Sequence, residues 1–251
     1  MATADLRPLS VGEVLDVAFQ LYRRLFTSLI VIQAVCTGVP FLLSVYIESS
    51  GGVLQRPFLY MCTMLLSSIL TALASVACVL VISEHYLGRT LRPTEALARA
   101  QRYIWPVFLL SIMVWFAISV GLVLLVIPGI ILMCGLALAT QTLVLESNRS
   151  PSAAMSRSWE LTKGYRLRMF ALLITAIVIV VVPLFGFGAL GGMFAAEDAA
   201  GVPLTFTVLG GLLQIVIYPL IYCILTVAYY DLRVRKEAFD LQMLEQALQG
   251  A

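Results

Sequence analysis

The chain has 251 residues, of which 61% are hydrophobic and 12% charged, and its mean hydropathy is +0.99. A soluble domain carries about 25% charged residues, so this deficit excludes an ordinary water-exposed surface and makes lipid the main solvent. The net charge of +2, with basic residues dispersed beside apolar runs, gives no footing for nucleic acid as a partner.

The opening residues, MATADLRPLS, lack a basic stretch followed by an apolar core. No cleavable signal peptide is expected, and the first apolar span serves as its own insertion signal. The five cysteines, Cys36, Cys62, Cys78, Cys134 and Cys223, all lie inside apolar runs and form no CxxC. They are expected as free, buried thiols rather than as a disulfide or metal framework.

Ser10 and Glu13 have capping-box spacing and open the first element. Apolar residues then recur at Val14, Leu15, Ala18, Leu21, Tyr22 and Leu25, with Glu13, Asp16, Gln20, Arg23 and Arg24 opposite them. This is helical period. Such a helix lies in the membrane interface with Arg23 and Arg24 near lipid phosphates, or it packs on the protein's own ends.

Span one is expected near 27–47, kinked at Gly38 and Pro40. After a short loop, span two covers 58–83 and ends at Glu84-His85. Pro93-Thr94 opens a second surface helix with Thr94 as its cap. That helix presents Arg99 and Arg102 to the headgroups, with Tyr103 and Trp105 at belt level.

Span three is expected near 107–127 and span four near 130–145, separated by Pro128-Gly129. A Pro-Gly pair without a polar linker predicts a tight hairpin at the far face, or a kinked re-entrant pair. Residues 146–168 form a third surface segment bearing Arg157, Trp159, Arg166 and Arg168. Span five runs near 169–193 and holds Pro183 and a GxxxG at Gly188 and Gly192. A short acidic loop leads to span six, near 204–229, and a tail from Asp231 that is expected to form a short helix.

With the N-terminus inside, fifteen of the sixteen Lys and Arg fall on the inner side, and only Arg56 falls outside. Lys/Arg bias in short loops sets orientation. The expectation is an all-α polytopic protein with six transmembrane helices, amphipathic interfacial helices before each hairpin, and both termini in the cytoplasm. Pro8-Leu-Ser10, Pro93-Thr94 and Pro151-Ser152 begin the surface segments alike. They suggest three units within one membrane domain over 1–251, near 8–56, 93–146 and 151–230, followed by a tail at 231–251. Shared membrane logic without common ancestry explains the same pattern.

Chemistry is sparse. His85 is the only histidine, and it stands beside Glu84 at a helix end, where solvated contacts are usual. No nucleophile triad, metal cluster or phosphate-cradling glycine loop is legible, so no catalytic residue and no cofactor is expected. Gln33, Gln141 and Gln214 are the main polar groups within the spans, and interhelical hydrogen bonding is their more frequent role. Glu146 follows span four directly, close in sequence to Arg149, Arg157 and Arg168. It either clamps the surface helix to the hairpin by an ion pair or snorkels as an exposed carboxylate.

Five segments, RPLSVGEVLDVAFQLYRR at 7–24, IPGI at 127–130, LVLE at 143–146, AAMSRSWELTKGYRLR at 153–168 and YYDLRVRKEAFDL at 229–241, carry a resemblance. In these the chain resembles the glycerophosphoryl diester phosphodiesterase membrane-domain family of bacterial proteins. The family is named for members in which this domain is joined to a soluble phosphodiesterase barrel. No segment here is long enough to hold that barrel, so the resemblance implies a membrane module and does not transfer the hydrolase activity.

The expected role is a non-enzymatic scaffold or lipid-organising subunit in a bacterial cytoplasmic membrane. Its basic helices would meet the anionic inner leaflet, with lipids and other integral membrane proteins as partners. The alternative is an export permease for an apolar or lipid-like substrate, working through the Pro- and Gly-broken spans five and six.

Overall fold

The computed structural model describes residues 9–50, 52–146, 150–197 and 204–249, with side chains up to 193 and 237 in the last two stretches. Pro8, Arg149, the acidic loop at Asp198 and the outer tail side chains lie outside the described residues. Within them, all regular structure is helical, and six spans are long and apolar enough to cross a membrane. The fold is an all-α, multi-pass membrane fold.

Helix α1 (Val11–Ser49) opens with the expected capping box. Ser10 Oγ accepts from the Glu13 N–H at 3.2 Å, and the Glu13 carboxylate accepts from the Ser10 N–H at 2.6 Å. The first surface segment and span one are a single helix of 39 residues, about 58 Å long. Neither Gly nor Pro occurs between Gly12 and Gly38 to end it. The apolar stripe Val14, Ala18 and Leu21 is buried against the protein itself.

Helix α2 (Pro57–Tyr86) returns and leads to α3 (Pro93–Ala100) and a 3-10 turn at Gln101–Tyr103. The cap of α3 is Arg92, not Thr94. Pro93 takes the first helical position, where the missing N–H costs nothing, and this moves the hydroxyl into the first turn. Pro151 does the same for α7 (Pro151–Thr162), whose cap Ser150 makes no side-chain cap bond. Only α1 therefore has a true hydroxyl cap, and the three surface segments start differently.

The second hairpin pairs α4 (Ile104–Leu124) with α5 (Val126–Leu136) and α6 (Ala139–Leu145). Its reversal is at Leu125, the one extended residue there, with φ −163° and ψ 141°. Pro128-Gly129 is not the turn. Pro128 falls in the first turn of α5, where it has no hydrogen bond to lose. Gly129 is where the two arms touch, since a Cβ would meet the Leu122 backbone nitrogen at 2.8 Å. Leu125 donates its N–H to Gly121 O at 3.0 Å and accepts from Gly129 N at 3.3 Å. The tip thus satisfies its own central peptide groups, and residues 122–127 are all apolar and exposed.

Helices α8 (Arg166–Glu197) and α9 (Leu204–Gln249) complete the bundle. The GxxxG at Gly188 and Gly192 meets no neighbour, whereas Gly191 and Gly211 lie against Phe206 and Phe41. Span six and the tail form one helix of 46 residues, about 69 Å long. Helix α9 packs along α1, α2 and α8, and its last described side chains reach α6 and α7. Leu9, Glu84, Arg99, Arg157 and Asp231 meet at one end of the bundle, called the basic end below.

Candidate functional site

Three successive residues of α9 organise the basic end. Successive helical residues point about 100° apart, so Tyr229, Tyr230 and Asp231 address three different neighbours. Tyr229 is fully buried and donates its OH to Glu146 Oε1, just past α6, at 3.1 Å. Tyr230 stacks on Tyr86 of α2 with centroids 4.8 Å apart, and its OH lies 2.6 Å from Ser83 Oγ. Asp231 accepts the Leu9 N–H at 2.8 Å, and its Oδ2 lies 2.9 Å from Arg168 Nη2. One turn of α9 thereby pins Leu9 just ahead of α1, both arms that return to this end, and the start of α8.

Glu146 belongs to a closed ring. Arg157 of α7 donates Nε to Glu146 Oε2 at 2.9 Å and Nη2 to Glu237 Oε1 at 3.0 Å. Arg233 donates Nε to Glu237 at 2.9 Å and Nη1 to the Tyr229 OH at 3.4 Å, and Tyr229 closes on Glu146. Partial burial pulls the Arg157 guanidinium down, but its hydrogen bond to Glu146 and the charges of Glu146 and Glu237 outweigh this and hold it above its ordinary value. Two cations and two carboxylates make the ring neutral.

Asp231 centres a second cluster. Its side chain is 1% exposed, and Arg235 donates Nε to it at 3.1 Å. The Leu9 carbonyl accepts from Arg168 and from Arg235 Nη2, the latter at 2.6 Å. Both peptide groups of Leu9 are therefore held by α8 and α9.

Trp159 and Arg166 serve α7 in a different way. The end of α5 leaves the Gly135 carbonyl without a helical partner, and Ser158 Oγ at 2.8 Å and Thr162 Oγ1 at 3.3 Å supply the donors. The Trp159 ring fills the space a Gly135 side chain would need. Arg166 stacks 4.0 Å above that ring.

The remaining cations face outward. Arg23, Arg24, Arg92, Arg99 and Arg102 are exposed. Arg99 leans on Glu84 at 3.5 Å, whereas Arg23, Arg24, Arg92 and Arg102 have no acidic partner among the described residues. The cations thus divide into an inward set, Arg157, Arg168, Arg233 and Arg235, which shares three carboxylates, Glu146, Asp231 and Glu237, and an outward set in which Arg23, Arg24, Arg92 and Arg102 have no acidic partner among the described residues.

Away from the basic end, a cavity of about 280 Å³ opens between α1, α2 and α9. The hydroxyl- and amide-bearing Thr37, Thr63, Ser67, Thr71, Thr207 and Gln214 are among the residues that line it. It stops where Ile32, Cys36, Ala74, Cys78 and Leu220 begin the continuous buried core. The expected interhelical bond of Gln33 is absent, since both amide atoms are buried with no partner among the described residues.

Among the described residues, no group of His, Cys, Asp and Glu could hold a metal ion. Spacing alone pointed to Glu146 and Asp231. It missed Tyr229, Tyr230, Arg233, Arg235 and Glu237, although a run of polar heads closing an apolar helix was a visible signal. No family model, curated protein or solved structure matches the chain.

Proposed function

We propose that this is a non-enzymatic, lipid-organising or scaffold subunit of the bacterial cytoplasmic membrane, with its basic end at the anionic inner leaflet. The observation that supports this reading is the outward arginine set. Arg23, Arg24, Arg92 and Arg102 are exposed and lack acidic partners among the described residues. Phosphate headgroups complement them, at about 1 kcal/mol per cation near an anionic surface. The segments quoted above favour membership of the glycerophosphoryl diester phosphodiesterase membrane-domain family as a module without its barrel. Lipids and other integral membrane proteins are the partners this implies.

Transport of a lipid-like substrate is the second reading, and the hydroxyl-lined cavity favours it. That cavity is one-sided, however, and ends on buried core along all three helices that line it. A path between the two leaflets would need that core to part, which ranks transport below lipid organisation.

The test is gentle purification followed by mass spectrometry of the retained lipids. Replacing Arg23, Arg24, Arg92 and Arg102 with Ala should lower retained anionic lipid by at least about tenfold. Unchanged retention would remove the basis of the proposal.

A further inference from the structure

The cavity between α1, α2 and α9 has chemistry that the lipid-organising reading leaves unused. Thr37 and Thr63 spend their hydroxyl protons on carbonyls one turn back, at 2.7 and 2.9 Å. The side chains of Ser67, Thr71, Thr207 and Gln214 make no hydrogen bond among the described residues. Gln33, one turn from Thr37 on the same face, is buried with both amide atoms unpaired. Polar groups at membrane depth need partners, because hydrocarbon offers none.

A second depression adjoins this cavity. It has a volume of about 360 Å³, runs between α8 and α9, and shares Thr207 and Gly211 with the first. Its other walls are Leu184, Phe187, Gly188, Gly191, Phe206 and Gly210. The glycines floor it without side chains, and nothing stands within 4 Å of a Cβ at Gly188. A hydroxyl-lined chamber therefore leads into an apolar trough, and among the described residues neither is lined by Lys, Arg, His, Asp or Glu.

We propose that the two together bind an uncharged, hydroxyl-bearing lipid of the leaflet opposite the basic end, head group in the chamber and acyl chain in the trough. The missing charges select against phosphate-bearing lipids, which have no cation to meet there. The joined trough selects an amphiphile over a free polyol. This deepens the lipid-engaging reading and rests on it, but the two fail separately, because the outward arginines report on anionic lipid and none of them lines this cavity.

The test is native mass spectrometry of the purified full-length protein titrated with dioleoylglycerol, dioleoylphosphatidylglycerol and free glycerol. Dioleoylglycerol should bind, and the combined variant Ser67→Ala, Thr71→Val, Thr207→Val should weaken it by at least about tenfold. Gly188→Leu, which enters open space and so should not disturb folding, should weaken it as well by filling the trough. The same variants should leave phosphatidylglycerol binding unchanged. Three results would each overturn the proposal: dioleoylglycerol binding that ignores both variants, phosphatidylglycerol binding that both variants weaken equally, or glycerol binding as tight as dioleoylglycerol.

Discussion

Asp231→Asn is the most informative single change at the basic end. The substitution keeps the shape and still lets Oδ1 accept from the Leu9 N–H. It removes the one negative charge that faces Arg168 Nη2 at 2.9 Å and Arg235 Nε at 3.1 Å. Those guanidiniums are only 16% and 20% exposed, so water cannot take over. Breaking a buried pair by neutralising one partner costs about 3–5 kcal/mol, because the remaining charges stay desolvated. At about 2–4 °C per kcal/mol for a chain of this size, the apparent Tm should fall by roughly 6–20 °C. Thermal unfolding in mild detergent, followed by tryptophan fluorescence, reads this directly. Replacing Asp231, Arg168 and Arg235 together with Leu, Met and Met should recover much of the loss, since no charge is then stranded. A fall of less than about 2 °C for Asp231→Asn would refute the claim that this cluster ties Leu9 and α8 to α9.

Other outcomes follow from the same geometry. Glu146→Gln strips the neutral ring of a carboxylate and should cost about 1.5–3 kcal/mol, whereas Glu95→Gln on the exposed side of α3 should stay within about 0.5 kcal/mol; equal effects would dissolve the ring argument. Gln33→Leu deletes an unpaired buried amide and should leave detergent stability unchanged or raise it by about 1–3 kcal/mol, and a clear loss would mean that the amide is bonded after all. In a Cys62→Ser background, Ser50→Cys should react with an impermeant maleimide in intact cells, while Leu125→Cys should stay protected until the membrane is dissolved. The second hairpin has arms of 21 and 20 residues against 39 and 30 in the first, and its tip has no polar side chain. Equal labelling at the two positions would show that the tip emerges into water.

What the sequence made legible was the part of the fold written in long patterns. Six apolar spans need only length and hydropathy, and the Ser10–Glu13 capping box is a local signal that nothing overrides. Most of the misplaced turns and caps depended on proline and glycine, whose effects are position-dependent. Pro93 and Pro151 read as helix openers and are, but they take the first helical position and push Thr94 and Ser152 out of the cap, whereas Pro128 read as a turn and lies in the first turn of α5. Gly129 serves close approach to Leu122 rather than a turn, and the GxxxG at Gly188 and Gly192 serves no helix contact. The basic end was half legible. Glu146 and Asp231 stand out as lone acids beside apolar runs, but their partners come from as far away as Leu9 and Arg168, and no spacing rule reaches that far. The chamber was missed because its hydroxyls are scattered over three helices and converge only in space.

The most direct test of the central claim is the lipid shell itself. The protein would be placed in nanodiscs of equal phosphatidylglycerol and phosphatidylcholine, and the lipids that stay bound on extraction would be counted at low and high salt. The account predicts phosphatidylglycerol enrichment at about 0.1 M salt that largely disappears near 1 M, where the screening length falls from about 10 Å to about 3 Å. Replacing Arg23, Arg24, Arg92 and Arg102 should abolish it at both. A bound shell that mirrors the bulk mixture at low salt would contradict the account.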